Sequence, residues 1–173
     1  MNFDDDFSDT EGNEIGSDEL LSDDHLRLPE GASPLVRLHA IRAWLSRRQQ
    51  ETSIEIGEAA LTLQQLMQEE PQTSRPRRRE RLGIMERVQQ AQQELQHAQQ
   101  RLQAYEEAQA MLEDCITHTT PGERALVEYY LSLEEALQIV DPANDEQSSP
   151  SRQQALMDVQ HRVEHVSASH EED

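Results

Sequence analysis

The sequence predicts an all-α protein: an elongated antiparallel helical hairpin of coiled-coil type, with a third packed helix, a C-terminal amphipathic helix and a disordered acidic N-terminal arm. Three observations predict it. Apolar residues recur every seven positions through the middle of the chain. Proline-marked starts and stops divide the sequence into helix-length pieces. Charge gathers at the two ends. Of 173 residues, 35% are hydrophobic and 3% aromatic, against about 45–50% apolar in an ordinary globular domain. Too few large apolar groups are present to fill a thick, layered core.

The charge count shows where order should begin. The chain has 35 acidic and 15 basic residues, every basic one an Arg, for a net charge of −20. Residues 1–30 hold 11 acids against one Arg, residues 31–141 hold 17 against 12, and residues 142–173 hold 7 against 2. Half of the excess therefore lies in the first 30 residues, whose apolar side chains (Phe3, Phe7, Ile15, Leu20, Leu21, Leu26, Leu28) keep no sustained period. Low hydrophobicity with high like charge cannot repay the entropy of ordering. Residues 1–32 are thus expected to be a disordered acidic arm, either a solubilising tail or a linear motif that folds on a partner.

The first helix is expected over about residues 34–70. Ser33 is its N-cap and Pro34 its first residue, where a missing N–H costs nothing. Its heptad rows are Leu35, Arg42, Gln49, Ile56 and Leu63 at a, and Leu38, Leu45, Thr52, Ala59 and Leu66 at d, apolar at the ends and polar in the middle. Gly57 weakens it from within, and Pro71 ends it. The second helix, about 76–118, has the strictest pattern. Val88, Leu95, Leu102, Gln109 and Ile116 repeat at a, and Ile84, Ala91, Ala98, Tyr105 and Leu112 at d, on a rod otherwise built of Gln, Glu and Arg. Ala91 and Ala98 let a neighbouring backbone come close.

A third helix is expected over about 121–141. Thr120 and Glu123 form a capping box around Pro121, the stripe is Leu126, Tyr130, Leu133, Leu137 and Val140, and Asp141-Pro142 stops it. After a linker at 142–149, Ser149-Pro150 opens an amphipathic helix over 150–168 with the stripe Leu156, Val159, Val163 and Val166; residues 169–173 are an acidic tail. Short loops join antiparallel neighbours. Helices one and two therefore pair as a hairpin within a domain at 33–141, helix three folds back along helix two, and helix four completes the bundle or binds elsewhere.

Two groups of residues are candidate binding sites. The first is the seam of the second helix (Ile84, Val88, Leu95, Leu102, Tyr105, Leu112 and Ile116), longer and stricter than one folded-back helix requires. The second is the run Arg75, Arg77, Arg78, Arg79 and Arg81, a candidate for anion or acidic-partner binding. Positive charge at a helix N-terminus opposes the helix dipole, so it does not serve the helix; guanidinium groups suit phosphate and carboxylate. A looser set (Arg37, Arg42, Arg47, Arg48) surrounds Trp44, and the chain's own acidic arm is a candidate ligand of either set.

Chemistry finds little footing. His161, Glu164 and His165 fit the string HxxEH of inverted zinc proteases, but only eight residues follow, and the valine stripe already accounts for the helix; no metal is assigned. Cys115 has neither a helix N-terminus nor a basic cluster beside it to activate the thiol, so it reads as a packed thiol or an interchain disulfide. G-x-G-x-x-G, P-loop, G-x-S-x-G and C-x-x-C motifs are all missing from the sequence. No catalytic residue and no cofactor are assigned, and no enzyme is expected.

The function expected is that of a non-enzymatic coiled-coil interaction protein (adaptor, tether or assembly scaffold). It would bind protein partners, a second copy among them, through helical seams and the acidic arm. The alternative is a regulator of a nucleic-acid process, binding nucleic acid through Arg75–Arg81 or competing with it through the arm; the strongly acidic chain disfavours direct binding. No 18-residue apolar window reaches the length of a membrane span, the acidic beginning is unlike a secretory signal, and one Cys suits a reducing compartment. The expected location is the cytoplasm, or the nucleus in a eukaryote.

Overall fold

A computed structural model of the chain describes residues 28, 31–68, 78–118, 122–139 and 149–168. The expected acidic arm up to residue 27, the linker at 142–148 and the tail at 169–173 lie outside the described residues. Among the described residues there are four helices and no strand: α1 (Pro34–Gln68), α2 (Arg78–His118), α3 (Glu123–Gln138) and α4 (Pro150–Ala168). The class is all-α, as the sequence pattern requires.

Local chemistry sets the helix starts. Gly31 turns the chain at a φ of 74°, and Ser33 then caps α1, its Oγ accepting the Val36 N–H at 3.4 Å. Ser149 caps α4 in the same way, accepting the Arg152 N–H at 3.1 Å. α3 is different. Gly122 stands at its N-cap position with no side-chain cap, and Ile139 leaves the helix in an extended conformation while its N–H still reaches the Glu135 carbonyl at 3.1 Å. The helix therefore ends before Asp141-Pro142 forces it to; Thr120, Pro121 and Val140 lie outside the described residues.

Polar pairs fix the topology. Arg42 meets Glu113 at 2.7 Å, the Gln49 amide donates to the Tyr105 carbonyl at 3.2 Å, and Arg101 pairs with Glu55. Each step up α1 is matched, within a residue, by a step down α2, so the two form an antiparallel hairpin. α3 returns along α2, the buried Tyr129 hydroxyl donating to the Ala108 carbonyl at 3.0 Å. α4 runs back along α3, where the Tyr130 hydroxyl donates to Glu164 at 2.9 Å. Its start is pinned to α2 by Arg152 on Glu107 (2.8 Å) and by Ser151 beside His97 (2.8 Å). At its end, Arg37 donates to the Ser167 carbonyl at 3.3 Å.

Two regions follow from this register. In the first, all four helices meet in an up-down-up-down bundle whose core holds Leu38, Ile41, Trp44 and Leu45 from α1, Tyr105, Ala108 and Leu112 from α2, Leu126, Tyr129 and Leu133 from α3, and Leu156, Val159, Val163 and Val166 from α4. In the second, α1 beyond Thr52 and α2 before His97 continue alone, as a two-helix arm roughly 25 Å long at 1.5 Å per residue.

The bundle turns the buried side of two helices away from the simple stripe. On α1 the a row is not the buried row. Leu35 is 43% exposed and Arg42 faces solvent, while Ala40, Ile41 and Trp44 are buried beside Leu38 and Leu45. α1 faces α4 and α3 there as well as α2, so its buried arc widens beyond the a and d positions. On α3, Ala125, Tyr129 and Ala136 are buried with Leu126 and Leu133, whereas Tyr130 and Leu137 are half-buried. On α4 all four stripe residues are buried.

Candidate partner-docking surface

The α2 seam divides at the boundary between bundle and arm. Leu112 and Tyr105 are buried in the bundle core, and Ile116 and Leu102 are half-buried. In the arm, Ile84, Val88 and Leu95 are also only half-buried, as are Ile56, Leu63 and Leu66 on α1. Ala91 on α2 is buried in the arm, and Thr52 and Ala98 are buried at its base. The physical reason is simple: two helices cover each other along one line, and no third element closes the flanks.

Around that line the arm has two unlike faces. With a at Gln49, Ile56 and Leu63 on α1, and at Val88, Leu95 and Leu102 on α2, the charged residues Glu51, Glu55, Glu58, Arg87, Glu94 and Arg101 fall at c or g, while Glu86 falls at f and Arg81 at a near the tip. The Glu55–Arg101 pair spans the helices on this side. The bundle uses the same side: Ile41, Trp44, Ala104, Ala108 and Cys115, all at c or g, bury against α3 and α4.

The opposite face, at b and e, is bare of charge along the whole of α1. On α1 it comprises Val36, His39, Ala43, Ser46, Gln50, Ser53, Gly57, Ala60, Gln64 and Met67; on α2 its uncharged stretch runs through Leu82, Met85, Gln89, Gln92, Gln96 and Gln99. Every one of these positions is exposed, and none is Asp, Glu or Arg. At the chain's 29% charged share, the ten α1 positions alone should hold several charges; on α2 the same rows carry charge at Arg78 and, within the bundle, at Glu106 and Glu113. On this face or beside it stand the large exposed residues of the arm: Ile54 (55%), Leu61 (60%) and Met67 (70%) on α1, with Leu82 (51%) and Met85 (67%) on α2. Sequence reading missed this face because it looked for what the heptads bury. The signal was present as the absence of charge at two heptad positions of α1.

The arginine groups separate. Arg78, Arg79 and Arg81 fall in the first turn of α2, at the tip of the arm; Arg81 is exposed, and Arg75 and Arg77 lie outside the described residues. The set around Trp44 is engaged within the fold. Arg48 lies 5.3 Å over the Trp44 ring, which meets Tyr105 edge-on at 6.2 Å. Arg47 and Arg48 pair with Glu51, Arg42 with Glu113, and Arg37 is buried on the Ala32 and Ser167 carbonyls. Trp44 is therefore a core residue whose arginines already have partners.

Candidate chemical groups are equally accounted for. His161 and His165 are exposed on α4, and Glu164 accepts from Tyr130. Among the described residues no group of three or more His, Cys, Asp or Glu is placed to hold a metal ion. Cys115 is a free, buried thiol. Burial pushes its pKa up, and Asp114 and Glu128 add to the shift, so a thiolate is disfavoured. Burial also raises the pKa of the Tyr129 hydroxyl well above the ordinary tyrosine value. No described helix is long and apolar enough to cross a membrane. Comparison of the chain with protein-family models, curated proteins and solved structures finds no match.

Proposed function

We propose that this chain is a non-enzymatic interaction protein, of the adaptor, tether or assembly-scaffold kind, which docks its partners on the uncharged face of its projecting hairpin. One observation carries the reading: beyond the bundle, α1 exposes a continuous uncharged face bearing Met67 and edged by Ile54 and Leu61, with Leu82 and Met85 exposed on the same side of α2. The bundle closes its own core without the arm. Ordering a further two-helix extension costs conformational entropy, and its exposed apolar side chains gain nothing in an isolated chain. Side-by-side packing of a partner helix would cover them, with the charged side left to water and free to steer orientation. The acidic N-terminal segment supplies a second contact of linear-motif type.

The test is a variant carrying Ile54→Glu, Leu61→Glu and Met67→Glu. These side chains are exposed, so the far-ultraviolet circular dichroism and the melting of the bundle should hold. Proteins cross-linked to the arm of the wild type in extracts of its source, and located there by mass spectrometry, should be lost. Retention of every such cross-link by a folded variant refutes the reading.

A further inference from the structure

We propose that the occupant of this face is a second copy of the same chain, laid antiparallel along α1 with the two Gly57 residues facing each other across a twofold axis. The proposal rests on the docking reading given above and names its partner. It begins from a glycine that the isolated chain does not explain. Gly57 lies deep inside the 35-residue α1. A Cβ built there meets nothing within 4 Å, so no contact within the chain requires its absence, yet glycine weakens a helix relative to alanine. What glycine creates is a notch, flanked by Ile54 one turn before it and Leu61 one turn after, both exposed. Close approach of another backbone is the use such a notch has.

The residues around the notch match themselves under a twofold axis. With Gly57 on the axis and the helices antiparallel, Ile54 falls opposite Ala60 of the other copy, Leu61 opposite Ser53, and Gln50 opposite Gln64. Large faces small at both apolar positions, and the amide pair can exchange hydrogen bonds. An isologous patch of this kind closes as a dimer and does not propagate into filaments.

Charge permits contact between the arms. Two chains of net charge −20 repel, but residues 49–101 carry eight Glu against seven Arg, or −1, so contact between the arms adds little repulsion of its own. An antiparallel overlap joins the near-neutral arms. It sends the bundles to opposite ends, roughly 45 Å apart along the axis by helix rise, several times the ~8 Å screening length at physiological ionic strength. The α1 overlap, about 34 Å long and one helix wide, covers about 400 Å² per copy, and the Gln, Leu82 and Met85 rows of α2 extend it. The total, about 1,000 Å², sits at the low end for a specific interface and fits a reversible dimer.

Sedimentation of the full chain tests this, using two glycine variants whose effects on stability and association diverge. Gly57→Ala should leave melting unchanged or raise it, while weakening dimerisation about tenfold or more. Gly83→Ala adds a methyl group to an equally open site on the charged face, and should raise melting without changing dimerisation. Raising salt from 50 to 300 mM should strengthen the wild-type dimer. In a Cys115→Ala background, Gln50→Cys and Gln64→Cys chains should form a mixed disulfide with each other and little with themselves. A wild type that stays monomeric at several hundred micromolar overturns the proposal, as does unchanged dimerisation in Gly57→Ala or efficient self-crosslinking of either cysteine variant. If the wild type is monomeric yet the Ile54, Leu61 and Met67 variant loses its cross-linked proteins, the self-pairing fails while the docking reading stands. If those cross-links also survive, both fail.

Discussion

Leu112 and Leu95 share a residue type and a helix, and both lie on the α2 seam, yet they should differ several-fold in what their truncation costs. Leu112 is fully buried where all four helices meet. Leu112→Ala removes its transfer free energy and leaves a cavity that the bundle cannot close, a loss of about 3–4 kcal/mol within the range for such sites. Leu95 is half-buried in the arm. Half of the ~1.5–3 kcal/mol for burying a leucine is about 1 kcal/mol, and water reaching the site removes the cavity penalty. Helix propensity barely separates the two residues and does so equally in both cases. Urea denaturation followed by circular dichroism at low micromolar concentration reads the difference. With a slope of about 2 kcal/mol per molar, the midpoint should fall by about 1.5–2 M for Leu112→Ala and by about 0.5 M for Leu95→Ala. Equal losses at the two sites would refute the division into a closed bundle and an open arm.

Other perturbations should separate in the same way. Glu107→Ala strips the carboxylate from Arg152, which is buried, and should cost about 2–3 kcal/mol by denaturation, because the remaining charge is left without its ion pair; Glu107→Leu combined with Arg152→Met should recover most of that loss. Cys115 should resist a thiol reagent in the native chain and react fully once unfolded, since burial both shields it and raises its pKa. Burial likewise raises Tyr129 and Tyr105. Groups whose folded pKa is raised contribute stability that is complete below their ordinary values and lost as pH climbs through the folded ones. Melting should therefore hold up to about pH 8.5 and fall through about pH 10 and above; a melting temperature that rises across that interval contradicts the burial of these three groups.

The elements were legible in the sequence because their signals are local. Ser33-Pro34 and Ser149-Pro150 state a helix start in two residues, and both serines cap as their chemistry requires. The α4 stripe reads directly because α4 presents one side to the bundle, so Leu156, Val159, Val163 and Val166 are all buried. Trp44 and Ile41 were not legible as core, because a two-helix heptad places them outside the seam. Only the arrival of α3 and α4 on the c and g side buries them. The same event explains why the docking face escaped notice. Which side of the hairpin stays open depends on where α3 and α4 pack; within α1 it shows as the lack of charge at b and e, not as an apolar stripe. The α2 seam proposed from sequence is divided by the same packing, with Tyr105 and Leu112 in the bundle and Ile84, Val88 and Leu95 on the arm.

The most direct test of the docking face compares two cysteines two residues apart. Thr62, at a g position on the charged side, and Gln64, at a b position on the bare side, are both exposed on α1 and lie about 160° apart around the helix. In a Cys115→Ala background, Thr62→Cys and Gln64→Cys are each coupled to a maleimide-linked polyethylene glycol of a few kilodaltons. Self-association is then read by sedimentation, and protein association by cross-linking. The label at position 64 should abolish association, and the label at position 62 should leave it near the unlabelled value. Equal inhibition by the two labels, or inhibition by the label at position 62 alone, would contradict the assignment of docking to the uncharged face.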